Sequence, residues 1–175
     1  NTTIGLGANG NGNIPAFTAV NTGNVPVTAT ITVTPAASGC NGTPQTFTIT
    51  VNPIPSVVQP VNQTLCNGAA TNAITFTGSV SNTIYNWSNN NTSIGLAAAG
   101  NGNIPAFTAV NTGNAPVTAT VTVTPSAAGC AGTAQIFTIT VNPTPDVVQP
   151  ANQIICNGAT TNAVIFTGSV SGTIF

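Results

Sequence analysis

The sequence predicts an all-β fold made of tandem β-sandwich repeats, with about 90 residues in each repeat. Three observations lead to this prediction. Residues 1–85 align with residues 91–175 without a gap, and 65 of the 85 aligned positions are identical. Valine, isoleucine and threonine dominate the segments between turns, while Asn-Gly pairs and prolines mark the turns. The recurring apolar residues and a positive mean hydropathy of +0.33 argue against disorder.

One complete repeat contains about seven segments with strand character. In AITFTG, Ile74 and Phe76 point to one face of a strand, while the threonines that follow each of them point to the other. Seven short strands separated by regular turn signals are the pattern of an immunoglobulin-like sandwich. The predicted strands are residues 62–66, 73–80, 83–88, 93–98, 106–112, 116–125 and 135–143.

The repeat boundary is predicted at two proline-rich stretches, VNPIPSVVQP at residues 51–60 and VNPTPDVVQP at residues 141–150. Proline cannot donate a hydrogen bond to a sheet and favours a stiff, extended backbone. A period of ninety residues is the size of a whole small β domain rather than of one solenoid unit.

These boundaries divide the chain into three segments. The leading segment, residues 1–55, is predicted to be the C-terminal half of a preceding repeat. The central segment, residues 56–145, is predicted to be a complete repeat. The trailing segment, residues 146–175, is predicted to be the N-terminal part of a following repeat. Only the counterpart of NWSNN, residues 86–90, is missing from a second full period, so we expect an excerpt of a longer chain.

The composition argues against catalysis, metal binding and nucleic-acid binding. The chain has no lysine, arginine or histidine, and its single acidic residue is Asp146. General acid–base catalysis needs a titrating side chain, and calcium or zinc sites need clusters of acidic residues, histidine or cysteine. Nucleic-acid binding needs cations to neutralise phosphates, and no apolar run is long enough to span a membrane. We therefore predict no enzyme activity, no cofactor, no nucleic-acid partner and no membrane insertion.

The sequence resembles a known family over its whole length. The stretches NQTLCNGAATNAITFTG, TIYNWSNN and, most specifically, TVTVTP followed by GC and FTITVNP resemble PKD-like (immunoglobulin-like) repeats of giant cell-surface proteins in Bacteroidota. The resemblance implies secretion, a cell-surface or extracellular location, and a structural role in stalks, adhesins or filaments.

The four cysteines form two pairs of equivalent positions, Cys40 with Cys130 and Cys66 with Cys156. A bond between Cys40 and Cys66 would cross a strand of about seven residues, roughly 23 Å, which is too long for a disulfide. We predict an intradomain disulfide between Cys66 and Cys130, which leaves Cys40 and Cys156 to pair with cysteines in adjacent copies. Four reduced, buried cysteines are the alternative.

Asparagine sequons and two aromatic residues are further candidates. Tyr85 and Trp87 alternate along one predicted strand and are predicted to be core aromatic residues, with a sugar-stacking platform as the alternative. An uncharged surface needs another source of solubility, so glycans on the sequons are a hypothesis beside chance occurrence. The sequons begin at Asn1, Asn41, Asn62, Asn86, Asn90 and Asn91.

Together these features predict a structural module of an extracellular filament or surface stalk. Its main partner would be itself, through head-to-tail contacts and lateral contacts favoured by uncharged faces. Two alternatives remain: an adhesive repeat that binds glycans or cells, and a discrete pilin-like subunit completed by its neighbours. Threonines of one period are replaced by isoleucines 136, 154 and 165 in the next, which fits either lateral contacts or ordinary drift.

Overall fold

The computed structural model describes residues 2–175, and the regular secondary structure of this part of the chain is β-strand apart from two short 3-10 helices. The all-β prediction is therefore confirmed. The strands are β1 (Val27–Val33), β2 (Ala36–Ala37), β3 (Cys40–Asn41), β4 (Gln45–Val51), β5 (Gln63–Cys66), β6 (Ile84–Asn89), β7 (Ala99–Asn101), β8 (Val117–Ala127), β9 (Cys130–Ala131) and β10 (Gln135–Asn142). Two single-turn 3-10 helices cover Thr2–Ile4 and Thr92–Ile94.

The central segment contains a six-stranded sheet. Its strand order is β5-β10-β8-β6-β7, and β9 pairs with β8. Strand β8 alternates small apolar residues with threonine, so every second side chain is buried and the threonines lie on the other face. Strand β5 runs parallel to β10, and its last residue, Cys66, lies opposite Asn142.

The other side of the central segment is less regular than predicted. The segments 73–80 and 106–112 were expected to be strands, but they form no continuous ladder, and the β-bridges within them are isolated. Ile74 bridges Ile104, and their backbone groups exchange hydrogen bonds of 2.9 and 3.0 Å. Pro105, directly after this bridge, has no N–H with which to continue the ladder.

The predicted strand at residues 93–98 is instead a 3-10 turn followed by β7. The Asn91 side chain accepts a hydrogen bond from the N–H of Ser93 and caps the turn at its start. Gly95 ends the turn with a φ of 94°, in the left-handed region that favours glycine. Local capping has therefore overridden the apolar pattern of this stretch.

Strands β8 and β9 form a tight hairpin. Ala127 lies opposite Cys130, and the two residues between them, Ala128 and Gly129, have φ values of 48° and 81°. Positive φ at both positions is the geometry of a type I′ turn, which matches the twist of antiparallel strands. Alanine fits it less well than glycine, which has no Cβ, and less well than asparagine, whose short polar side chain can hydrogen-bond locally in this conformation.

The chain divides into two compact units. The first comprises the chain up to Val58, together with Phe76–Asn86 and Val123–Gln135. Strands β1 and β4 pair in this unit as an antiparallel hairpin, with Thr28 opposite Thr50. Its buried apolar residues are Ile4, Ala29, Val57, Phe76, Val80, Val123 and Ala127.

The second unit comprises Gln59–Thr75, Trp87–Thr122 and Ile136–Phe175. Its core is apolar and rich in β-branched residues. The largest of its fully buried side chains are Phe137, Ile94, Ile104, Ile139, Val121 and Val141.

Candidate functional site

The proline-rich boundary after the leading segment is a packed strap rather than a free linker. We call residues 53–58 the strap. Within it Pro55 and Val57 are buried and alternate with exposed residues, as in a strand with one covered face. The N–H of Val58 donates to the carbonyl of Thr77 at 2.8 Å. The strap is therefore bonded to the central segment.

Two glycines of the central segment let the strap approach its backbone closely. A Cβ added at Gly132 would overlap the carbonyl oxygen of Pro55, and one added at Gly78 would overlap that of Ser56. Glycine is needed at these two positions because the approaching atoms belong to the backbone and cannot swing away.

The leading and central segments also meet directly at this joint. The side-chain amide of Asn52 donates to the carbonyl of Ala128, in the turn between β8 and β9, at 3.0 Å. Beside this bond lies a crevice of about 220 Å³. It is lined by Asn24, Pro26 and Pro53 of the leading segment and by Val80, Ser81, Asn82, Ala127 and Ala128 of the central segment.

An equivalent joint lies ninety residues further along the chain. Here the N–H of Val148 donates to the carbonyl of Thr167 at 2.7 Å, which repeats the bond between Val58 and Thr77. A Cβ at Gly168 would overlap the carbonyl of Asp146, as at Gly78. The crevice at this joint measures about 280 Å³ and is lined by Asn114, Ala115, Pro116, Asn142, Pro143, Val170 and Ser171.

An asparagine, buried at position 111 and half-buried at position 21, braces the end of each segment that leads into a joint. The amide of Asn111 donates to the carbonyls of Ala115 and Val141, at 2.8 and 2.7 Å. The amide of Asn21 makes the same two bonds to Val25 and Val51, at 2.9 and 2.8 Å. These bonds satisfy polar groups away from water and hold a turn against the last strand.

Identical residues have very different exposure in the central segment and in the two segments that flank it. Phe137 in β10 is 1% exposed, whereas its counterpart Phe47 in β4 is 45% exposed. Phe76 is 5% exposed, whereas its counterpart Phe166 is 50% exposed. Phe47 and Phe166 therefore lack the cover that their counterparts have in the central segment.

The structure contains no disulfide between the cysteines of residues 2–175, and all four are free. The predicted bond between Cys66 and Cys130 is not formed. Cys66 lies opposite Asn142 at the end of β10, whereas β9, which carries Cys130, precedes the start of β10 at Gln135. A strand of this length spans about 23 Å, and disulfides need Cα atoms within about 7 Å. The same reasoning that disfavours Cys40 with Cys66 therefore applies to this pair.

Three of the sequon asparagines have structural roles. The side-chain oxygen of Asn62 accepts a hydrogen bond from the N–H of Thr138 at 2.8 Å, and that of Asn90 accepts from Thr120 at 2.7 Å. The side chain of Asn91 caps the 3-10 turn. Acceptors held in this way are poor sites for a bulky modification.

The other sequons differ in their surroundings. Asn41 in β3 and Asn86 in β6 are exposed, and their side chains make no hydrogen bond to the rest of residues 2–175. Asn1 lies outside the described residues. Asn41 and Asn86 are therefore the two predicted glycan acceptors whose side chains are free in the structure.

The aromatic residues of the central segment lie inward. Trp87 is 8% exposed and packs against Gly100, where an added Cβ would overlap the indole ring. Its indole N–H is buried and has no hydrogen-bond partner in the described part of the chain. Tyr85 is half-buried, with its ring centroid 5.7 Å from that of Phe76. These side chains do not form an exposed platform for sugar stacking.

Asp146 forms a polar contact within the second joint. Its Oδ1 accepts hydrogen bonds from the N–H of Ser169 at 2.6 Å and from the Ser169 hydroxyl at 2.9 Å. The backbone bond from Ser169, followed by the hydroxyl bond, lowers the pKa of Asp146 below its ordinary value. At the first joint, Ser56 takes the place of Asp146 and bonds the hydroxyl of Ser79 at 3.1 Å.

The described residues hold no group of three or more histidine, cysteine or acidic side chains that could bind a metal ion. Between residues 2 and 175 the structure also has no helix that is long and apolar enough to cross a membrane. The most extensive recurring feature of the described residues is the packed joint, which can hold a segment against the one that follows it. The sequence predicts the boundary at this place, but the contacts of the boundary were not predicted. The alternating apolar residues of PIPSV are the pattern that indicates a packed strand.

A known family model matches part of the chain. Residues 3–55 match the family model of the PKD-like domain. PKD-like domains are typically extracellular and non-catalytic, and the match indicates a structural or adhesive module. Residues 93–145 are identical to the matched stretch at 42 of 53 positions. No curated protein matches the chain.

Proposed function

We propose that this chain is a structural module of an extracellular filament or surface stalk built from tandem immunoglobulin-like repeats. In this proposal residues 56–145 are one complete repeat, and residues 1–55 and 146–175 are parts of its neighbours. The observation that carries the proposal is the joint, because the same bonded strap and crevice occur twice with the ninety-residue spacing of the sequence.

A packed joint suits a stalk better than a flexible linker does. The strap crosses the boundary into the repeat that it opens, and its last residue, Val58, is bonded to Thr77 of that repeat, so few residues between repeats are free to bend. Backbone contact at Gly78 and Gly132 further restricts the strap. With no cation and a single acid, neighbouring faces also have almost no charge repulsion to prevent close packing.

The proposal is tested with extended chains in which two, three and four complete repeats follow one another. We expect electron microscopy to show particles whose length grows by a constant step of about 35 Å per repeat, the length of a strand of ten to eleven residues. The same repeats with a long glycine-serine linker inserted after Pro143 are the control and should bend freely. Compact particles whose length does not grow with repeat number would contradict the proposal.

A discrete pilin-like subunit is the second candidate, and the exposed core residues favour it. Phe47 and Phe166 belong to opposite halves of a repeat, so a second copy could cover both by head-to-tail completion. Such a composite would lack the counterpart of Trp87. Around Gly10, the counterpart of Gly100, the space that the indole fills is empty of residues 2–175. We therefore favour a continuous chain in which five residues supply the missing piece.

Analytical ultracentrifugation distinguishes the two candidates. For a subunit, the 175-residue chain alone should form concentration-dependent head-to-tail polymers, and Phe47→Asp should stop their growth. For a continuous chain, the isolated protein should remain a small species, and adding the counterpart of residues 86–90 after Phe175 should increase association. An adhesive role has no comparable support, because the aromatic residues of the central segment lie inward.

Glycans at the surface are part of the proposal. Asn41 and Asn86 are the proposed acceptors because both are exposed and their side chains are free. Intact mass spectrometry of protein from its native source should show added sugar mass that Asn86→Gln lowers. A native mass equal to that of the bare polypeptide would remove this part of the proposal.

A further inference from the structure

We propose that disulfide bonds join consecutive repeats across the joints. Each bond would link the cysteine at the position of Cys66 in one repeat to the cysteine at the position of Cys130 in the repeat that follows. This inference rests on the proposed tandem arrangement, and it replaces the intradomain pairing that the sequence alone suggests.

Cys66 lies at the end of its repeat that faces the following joint. The parallel pairing of β5 with β10 puts it opposite Asn142, the last residue of β10, and the N–H of Asn67 donates to the carbonyl of Asn142 at 2.8 Å. Asn142 and the next residue, Pro143, line the crevice of the second joint. The Cys66 side chain is exposed there.

Cys130 lies at the end of its repeat that faces the preceding joint. It is paired with Ala127 in the hairpin of β8 and β9. Ala127 and Ala128 line the crevice of the first joint, and the carbonyl of Ala128 accepts the hydrogen bond from Asn52. Cys130 is therefore two residues from a direct contact with the preceding segment.

The ninety-residue equivalence brings these two positions to the same place. Asn52 is the counterpart of Asn142, so the position equivalent to Cys66 lies beside Asn52 on the neighbouring strand, about 5 Å away. The Asn52 side chain reaches Ala128, two residues before Cys130. One hydrogen bond of 3.0 Å therefore connects the neighbourhoods of both cysteines. The proposed bond requires that their Cα atoms lie within about 7 Å of each other across this contact.

The free state of all four cysteines fits this pairing. The partner of Cys66 would lie in the β8–β9 hairpin of the repeat that the trailing segment begins, outside these residues. The partner of Cys130 would lie in the front half of the repeat that the leading segment ends. Each proposed pair thus has only one member among residues 2–175, whereas both members of the intradomain pair are present and remain unbonded.

The oxidation is a thiol–disulfide exchange with a small disulfide such as oxidised glutathione. One cysteine thiolate attacks a sulfur of the oxidant, forming a mixed disulfide and releasing one glutathione as a thiol. The second cysteine thiolate then attacks the protein sulfur of the mixed disulfide and releases the second glutathione. Two protein thiols are oxidised, one glutathione disulfide is reduced, and the thiol protons pass to the released glutathione or to solvent.

The test uses the chain extended after Phe175 by copies of residues 86–90 and 1–55, which completes the third repeat. Replacing the original Cys40 by serine leaves four cysteines: Cys66, Cys130, Cys156 and the added copy of Cys40. The protein is oxidised with oxidised glutathione and digested with chymotrypsin, because trypsin has no cleavage site in this sequence. Cleavage after phenylalanine puts the four cysteines on four different peptides, which mass spectrometry identifies.

We expect a single disulfide, between Cys66 and the added Cys40, with Cys130 and Cys156 still thiols. In this extended chain Cys66→Ser should abolish the bond, and the matched Cys130→Ser should leave it unchanged. Intradomain pairing would instead give two bonds, Cys66 with Cys130 and Cys156 with the added Cys40. That result, or four free thiols in a folded, oxidised protein, would overturn the inference.

The 175-residue chain provides a second test that does not depend on the extension. After oxidation under the same conditions, no disulfide between Cys66 and Cys130 should form within one molecule, and finding one would overturn the inference. Electron microscopy separates this outcome from failure of the stalk proposal. Extended chains whose length grows with repeat number while their thiols stay free would refute the disulfide proposal and would be consistent with the stalk proposal.

Discussion

Phe137 and Phe47 offer a matched pair of substitutions within one molecule. Both occupy the same position of the sequence FTITV, ninety residues apart, and they lie on the corresponding strands β4 and β10. They differ in burial, with Phe137 1% exposed and Phe47 45% exposed. Replacing each by alanine therefore tests whether the central segment is a complete core and the leading segment an open one.

The expected magnitudes follow from this burial. Removing a fully buried phenylalanine ring costs about 3–5 kcal/mol, which combines lost apolar burial with the cavity left behind. Phe137→Ala should therefore remove a large part of the stability of the central segment, since small domains have about 5–15 kcal/mol in total. Phe47→Ala should lower the stability of the central segment by less than about 1 kcal/mol, because its ring is half in solvent already.

Trp87 makes the assay selective. It is the only tryptophan in the chain and is buried in the central segment, so its fluorescence follows the unfolding of that segment. In urea titrations with a slope of about 1–3 kcal/mol/M, Phe137→Ala should lower the midpoint by on the order of 2 M, and Phe47→Ala by less than about 0.5 M. Equal shifts for the two variants, or no shift for Phe137→Ala, would refute the assignment of the complete repeat.

Three further predictions concern the joints and the hairpin. Gly132→Ala should lower the free energy of unfolding of the central segment by more than about 1 kcal/mol because the added Cβ would meet the strap. Gly42→Ala should lower the free energy of unfolding by less, and urea titration of both variants measures the difference. The carboxyl of Asp146 should have a pKa below its ordinary value of 3.8 when it is followed by NMR titration. Its stabilising contribution to the second joint is therefore present above pH 3.8 and is lost as the pH falls through the lower pKa of the folded state. A midpoint at or above 3.8 would contradict the bonds from Ser169. Ala128→Asn should stabilise the β8–β9 hairpin by about 0.5–1 kcal/mol, because asparagine tolerates positive φ. Thermal unfolding measures this effect, and an unchanged or lower midpoint would count against the turn assignment.

The strands that sequence analysis located well are those with regular alternation. The predicted strands 116–125 and 135–143 correspond to β8 and β10 within one or two residues, because buried and exposed positions alternate along both. The predictions at residues 73–80 and 106–112 overestimated the strands there. Apolar alternation continues through both stretches, and both make backbone hydrogen bonds, such as those from the N–H of Thr71 to the carbonyl of Phe107 and from the N–H of Val58 to the carbonyl of Thr77. These bonds go to different partners, so no continuous ladder forms and only isolated bridges are present.

The disulfide prediction shows what periodicity cannot supply. The spacing of Cys66 and Cys130 says nothing about which end of the last strand the first strand reaches. Only the parallel pairing of β5 with β10 reveals that Cys66 lies beside Asn142. The contact between Asn52 and Ala128 likewise joins residues 76 positions apart and leaves no local pattern in the sequence.

The parallel pairing of β5 with β10 has a mechanical consequence. The chain enters the central segment through the strap just before β5 and leaves it at the end of β10. Because the two strands are neighbours and point the same way, tension along the backbone would slide one past the other and load their hydrogen bonds together in shear. An antiparallel hairpin pulled at its open end would instead unzip one bond at a time.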